Sequence, residues 1–71
     1  MNNLQRIRKE QGLSQTMLAE YSGVNVRQIK AYEQGTRDIN KAEALTVYKL
    51  ASALSCSMEE LLELDRIEER K

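Results

Sequence analysis

The stretch that decides the reading runs from Gln15 to Gly35, QTMLAEYSGVNVRQIKAYEQG. Two short segments, residues 15–22 and 26–34, flank Gly23-Val24-Asn25. In the first, Leu18 and Ala19 fall on one helical face; in the second, Ile29 and Tyr32 do, three residues apart. Glycine takes the left-handed backbone that ends a helix at little steric cost, so Gly23 and Gly35 are expected as helix stops. Ser14 and Asn25 stand just before the two segments, where a side-chain oxygen can accept from a free amide of the first turn. Gln28 lies three residues after Asn25, which predicts a capping box. Two helices meeting steeply across so short a turn need a small side chain where they touch, and Ala19 supplies it. A helical hairpin without a further role would also favour glycine in its turn. It would not need this full set of spacings.

Outward from that stretch the pattern stays helical. Residues 3–11 are expected as the first helix, with Leu4, Ile7 and Arg8 inward and Gly12 as its stop. A polar connection over residues 36–40 leads to a fourth helix over residues 41–54, where Val47, Leu50, Ala51 and Leu54 keep the i, i+3, i+4, i+7 spacing. Ser57 and Glu60 form a capping box, so a fifth helix is expected from Met58, carrying Leu61 and Leu62 and continuing through Ile67. There is no proline to break a helix, and no stretch alternates with period two long enough for a strand. The expected architecture is all-α: a compact five-helix bundle in a single domain of residues 1–71, with a core over about residues 3–62 and an acidic C-terminal extension over 63–71.

Composition narrows the chemistry. One cysteine and no histidine in 71 residues leave no internal disulfide, no Cys/His metal cluster and no nucleophile–base pair. No enzyme, cofactor or metal site is expected. No apolar run approaches the roughly 18 residues of a membrane span, and the start lacks the apolar stretch of a signal peptide. An unpaired Cys56 suits a reducing compartment, so a cytoplasmic protein is expected. The net charge is zero but unevenly spread. Residues 1–49 carry eight basic against five acidic side chains, and residues 50–71 three against six. A positive body with an acidic end can still turn a basic face to phosphates.

These residues resemble the Cro/repressor, or XRE-type, helix-turn-helix family. The likeness is carried by Leu13-Ser14-Gln15, Leu18-Ala19, Gly23-Val24, Ile29, Glu33-Gln34-Gly35 and Leu50-Ala51-Ser52-Ala53-Leu54, followed by Ser57 and Leu61-Leu62. It covers residues from about Leu4 to Leu62, and order, spacing, caps and stops agree. The resemblance implies a five-helix DNA-binding domain whose second motif helix lies in the major groove of double-stranded DNA. It implies a homodimer on a two-fold symmetric operator, and a transcriptional regulator, a repressor, in a prokaryotic or phage setting. Two departures stand out. Val26 opens the recognition helix where the family often has a polar base reader, and the acidic tail after Leu62 lies outside the shared pattern.

The resemblance turns the outer face of the third helix into a set of expected contacts. Val26, Arg27, Gln28, Lys30 and Ala31 are candidates for base edges. Arg27 suits a guanine, Gln28 an adenine, and the short apolar Val26 and Ala31 a thymine methyl. The competing reading of each is an ordinary solvated face. Gln15, Gln34, Thr36, Arg37 and Lys41 are candidates for phosphate contact; the family's glutamine at the position of Gln15 helps hold a phosphate, beside the free amides of a helix start. Arg8 and Glu33 are expected as a structural pair, so that Glu33 is a brace rather than a ligand. Tyr21, Tyr32 and Tyr48 are expected to pack, Cys56 to act as a small buried hydrophobe, and Glu59, Glu60 and Glu63 to form a solvated helix face. Leu61, Leu64 and Ile67 on an extended fifth helix, with Leu45 and Tyr48 nearby, are the expected dimer contact. The rival function on the same fold is a protein-interaction module, an antitoxin or adaptor whose protein partner sits at the acidic end.

Overall fold

Asn2 opens the first helix: its side-chain oxygen accepts from the Gln5 N–H at 2.9 Å. The computed structural model describes residues 2–66. Helix α1 spans Asn3–Glu10, α2 Gln15–Ser22, α3 Val26–Gln34, α4 Ala44–Leu54 and α5 Met58–Leu61, with short 3-10 turns at Ile39–Lys41 and Leu64–Arg66. The described residues hold no strand, and none of their helices is long and apolar enough to cross a membrane. The all-α, five-helix architecture expected from periodicity is the one observed.

Local chemistry sets most of the boundaries. Ser14 accepts from the Met17 N–H at 3.0 Å to start α2, and Gly23, at φ +76°, ends it. Ser57 and Glu60 make the expected capping box at α5, each side chain bonded to the other residue's amide. Asn25 caps α3 differently from the expectation. Its side chain accepts from Arg27 N–H at 2.7 Å, two residues on, and Gln28 offers only its backbone N–H, to the Asn25 carbonyl. Asn at φ −59° and ψ 135° makes the shorter Asx-type reach instead of a capping box.

Two further expectations are corrected. The fourth helix begins at Ala44, not at residue 41. Ile39 is drawn into the core at 3 % exposure, and Asp38 accepts from the Asn40 N–H at 2.9 Å; together they curl residues 39–41 into a 3-10 turn before the chain extends at Ala42. The fifth helix stops at Leu61 and does not extend toward Ile67, which lies outside the described residues. Leu62 is extended, at ψ 154°, and Glu63 turns inward.

Leu4, Leu18, Ile29, Leu50, Leu54 and Leu61 are fully buried, one or two from each helix. Helix α2 packs on α3 and α4, and α1 on α3 and α5. The Gln11 side chain donates to the Leu54 carbonyl, tying the end of α1 to the end of α4. Truncating any of the six leucine and isoleucine side chains to alanine is worth about 2–5 kcal/mol, a large share of what a domain this small holds. Burying Ile29 and Tyr32 is what fixes the roll of α3 and sends its other residues to solvent.

Candidate nucleic-acid interface

Because Ile29 and Tyr32 face inward, Arg27 and Lys30 emerge fully on the open side of α3, with Val26, Gln28 and Ala31 half-buried along its flanks. Neither Arg27 nor Lys30 takes part in an ion pair among the described residues. Gly35, at φ +84°, lets the chain fold back on the helix end. There the Arg37 N–H and the Thr36 hydroxyl both donate to the Ala31 carbonyl at 3.2 Å. This return lays the Arg37 guanidinium over the Tyr32 ring, 5.9 Å from its centre, a cation–π contact.

The same fold-back makes a groove of about 490 Å³ beside α3. Gln28, Thr36, Arg37 and Lys41 line it, with Asp38 and Glu43 on its walls. Three of the phosphate candidates are thus gathered with one base candidate. Arg27 and Lys30 stand outside the groove, further round the helix. Gln34 is exposed at the last turn of α3.

Gln15 does not line this groove, and its environment explains the position of Glu33. Arg8 donates twice to that carboxylate, Nε to Oε2 at 2.7 Å and Nη2 to Oε1 at 2.9 Å, in the bidentate geometry of a strong charge-assisted pair. A third donation, Nη1 to the Leu13 carbonyl at 2.7 Å, anchors the guanidinium between α1 and α2. The two side chains are 8 % and 1 % exposed. The hydrogen bond to Glu33 pushes the Arg8 pKa up; burial opposes this, and the opposite charge adds to it. Gln15 Nε2 donates to Oε1 of the same carboxylate at 2.9 Å. An amide nitrogen carries two hydrogens, so one remains for a ligand. The Gln15 and Thr16 backbone amides, in the first turn of α2, have no partner within the helix. Glu33 therefore neutralises Arg8 and aims Gln15, and as the sole acid on α3 it is withdrawn from the face that Arg27 and Lys30 occupy.

Other expectations change. Only Tyr32 of the three tyrosines is buried, at 5 % exposure; Tyr21 and Tyr48 are 61 % and 58 % exposed. Helical spacing placed them on faces that no neighbouring helix covers. Cys56 packs half-buried against the core, and burial, with a smaller push from Glu60, raises its thiol pKa. Glu59 and Glu60 are solvated, but Glu63 is not: it is 8 % exposed and accepts the Asn3 N–H at 2.7 Å. The asparagines bonded to it are Asn3 and Asn40, and spacing and charge assign them no role. The polar pair Asn2-Asn3 ahead of Leu4 is a signal for the first of them only.

A free basic helix face, set on a small helix across a glycine turn and edged by unpaired amides, defines a helix-turn-helix DNA-binding domain. A helix-turn-helix family model matches residues 4–61, and the chain belongs to that family, in its XRE type. It is a DNA-binding regulator of transcription. Among solved structures it is similar to the restriction-modification controller protein C.AhdI from Aeromonas hydrophila, with a TM-score of 0.75 and 33 % identity over 84 % of this chain and 86 % of that one. No curated protein matches it.

Proposed function

We propose that the chain is a sequence-specific repressor, which binds double-stranded DNA as a homodimer with α3 of each copy in a major groove. The observation that carries this is the sorting of charge on α3. Arg27 and Lys30 are exposed and free of ion pairs among the described residues, while Glu33 is turned into the brace with Arg8. Arg27, Gln28 and Lys30 then read base edges, with Val26 and Ala31 against thymine methyls. Gln15, Gln34, Thr36, Arg37 and Lys41 hold the phosphates on either side of the groove and supply most of the affinity. This reading assigns the chain binding and no catalysis, and a cytoplasmic site of action goes with it. By likeness to the controller protein, a restriction-modification gene set is the first place to look for its operator.

The test is a mobility-shift selection on pooled random duplexes at two salt concentrations. Enrichment of a two-fold symmetric site, with affinity falling steeply as salt rises, is the expected result. A protein that shifts every duplex alike at both salts reads no sequence, and the proposal fails. Placing the selected site over a promoter in a reporter then reads the sign of regulation: lowered transcription is expected, and raised transcription removes the word repressor.

A further inference from the structure

We propose that Asn40 and Glu63 are positioning residues of the DNA interface, which clamp the turn bearing Arg37 and Lys41 onto the start of α1. The inference rests on the reading above, in which that turn touches phosphate. Asn40 lies within the 3-10 turn Ile39–Lys41, next to Lys41 and three residues after Arg37. Its side-chain amide pairs with both backbone polar groups of Glu63. Oδ1 accepts from the Glu63 N–H at 2.9 Å, and Nδ2 donates to the Glu63 carbonyl at 2.9 Å. The Glu63 carboxylate in turn accepts the Asn3 N–H at 2.7 Å, at the positive end of α1, and Asn3 Nδ2 donates to the Leu62 carbonyl at 2.8 Å. One residue earlier, Asn2 Nδ2 donates to the Tyr32 carbonyl at 2.7 Å, near the end of α3.

The turn is thus held at both of its ends. Its beginning is tied to α3 through the two donations to the Ala31 carbonyl, and its end to α1 through Asn40 and Glu63. Asn2 closes the circuit by fixing the start of α1 to α3. A loop ordered before DNA arrives loses less conformational freedom when its cations meet phosphates, and that saving appears as affinity for every sequence alike. Asn40 and Glu63 touch no DNA themselves in this arrangement. They act through Arg37 and Lys41.

The experiment compares Asn40→Ala, Glu63→Ala, Glu63→Gln and the double variant Arg37→Ala/Lys41→Ala with the parent. Affinity is measured on the selected operator and on a random duplex at two salts, at a temperature well below every melting midpoint. Amide hydrogen exchange at Asn40 and Lys41 is followed in the free proteins. Asn40→Ala and Glu63→Ala are expected to weaken both duplexes equally, by about 3–10-fold for a lost buried hydrogen-bond partner, with faster exchange in the turn, unchanged base preference and a parental salt dependence, since the same cations still meet phosphate in the complex; only the double variant flattens it. Glu63→Gln keeps an oxygen to accept from Asn3 and is expected to return close to parental affinity. Parental affinity for Asn40→Ala, or unchanged exchange in its turn, overturns the clamp; if the double variant still binds weakly, the reading of the turn survives. Parental affinity for the double variant overturns both.

Discussion

At the scale of single residues, α3 separates two kinds of charged side chain, and the separation can be measured. Arg27 is exposed in the first turn of the helix, where a guanidinium can bond bidentately to one guanine. Arg27→Ala is expected to relax preference at one base pair by about 1–3 kcal/mol and to leave the others as they were. Selection of operators by the variant reads this directly; an unaltered consensus would take Arg27 out of the base-reading set. Glu33 behaves otherwise. Its removal leaves the Arg8 guanidinium, 8 % exposed, without its carboxylate. Glu33→Ala should therefore destabilise the domain by about 3 kcal/mol or more, whereas Gln34→Ala beside it, exposed, should stay within about 0.5 kcal/mol. Urea melts of the two variants decide it, and equal midpoints would refute the brace. The pH dependence has a definite sign. Because Arg8 is raised in the folded state, its contribution is complete at any pH below its ordinary range and is lost only as pH climbs through the raised value, in strongly alkaline solution. The resemblance supplied the pairing of Arg8 with Glu33. The bond from Gln15 to the same carboxylate could not be read in advance, since 18 residues separate the two and neither spacing nor charge points from an amide to that acid.

At the scale of elements, what was legible in the sequence is what local chemistry dictates. Helices α2 and α3 run over the residues expected because Ser14, Gly23, Asn25 and Gly35 act within a turn of their own positions. The start of α4 was not legible. Nothing in Lys41-Ala42-Glu43 forbids a helix; the chain is bent there by burial of Ile39, which is a tertiary effect. Nor was the end of α5: Leu61, Leu64 and Ile67 keep helical spacing, yet Glu63 leaves the helix to meet an amide 60 residues away. The C-terminus of α4 offers a test at this scale. Ser55 sits in the left-handed region at φ +53°, the one non-glycine among the described residues to do so, with the Cys56 N–H bonded to the Ala51 carbonyl in a Schellman-type close. That conformation costs a side-chain-bearing residue about 1–2 kcal/mol, of which the greater freedom of glycine in the unfolded chain takes back part. Ser55→Gly is expected to stabilise the domain by about 0.5–1 kcal/mol, seen as a Tm raised by a few degrees. A lowered Tm would mean that the serine is better placed there than its backbone angle suggests.

At the scale of the whole molecule, a single recognition helix touches too few base pairs to distinguish one site in a genome, and a second copy about one DNA turn away, roughly 34 Å, meets that need. A closed dimer uses the same patch on each copy, and the patch must leave α3 free. Leu61 cannot belong to it, being fully buried. Ile67 lies outside the described residues. What remains exposed and apolar on α4 is Leu45 and Tyr48, 59 % and 58 % exposed and three residues apart on one face, with Leu64 at 48 % after α5. Lys49 adjoins them and can meet the acidic end of the partner, which offsets part of the repulsion between two negative C-terminal segments. Leu45→Glu and Tyr48→Glu change solvent-facing side chains, so their melting should match the parent within about 0.5 kcal/mol. Each is expected to lower affinity for a two-half-site duplex by tenfold or more, about 1.4 kcal/mol, and to leave affinity for a single half-site unchanged. Sedimentation of the free protein and of its saturated complex supplies the stoichiometry. One protomer per symmetric operator, with no cooperativity, excludes the dimer altogether. Two protomers that persist in both variants keep the dimer and move its interface off α4, to the exposed Met17 and Tyr21 of α2 as the remaining large apolar groups among the described residues.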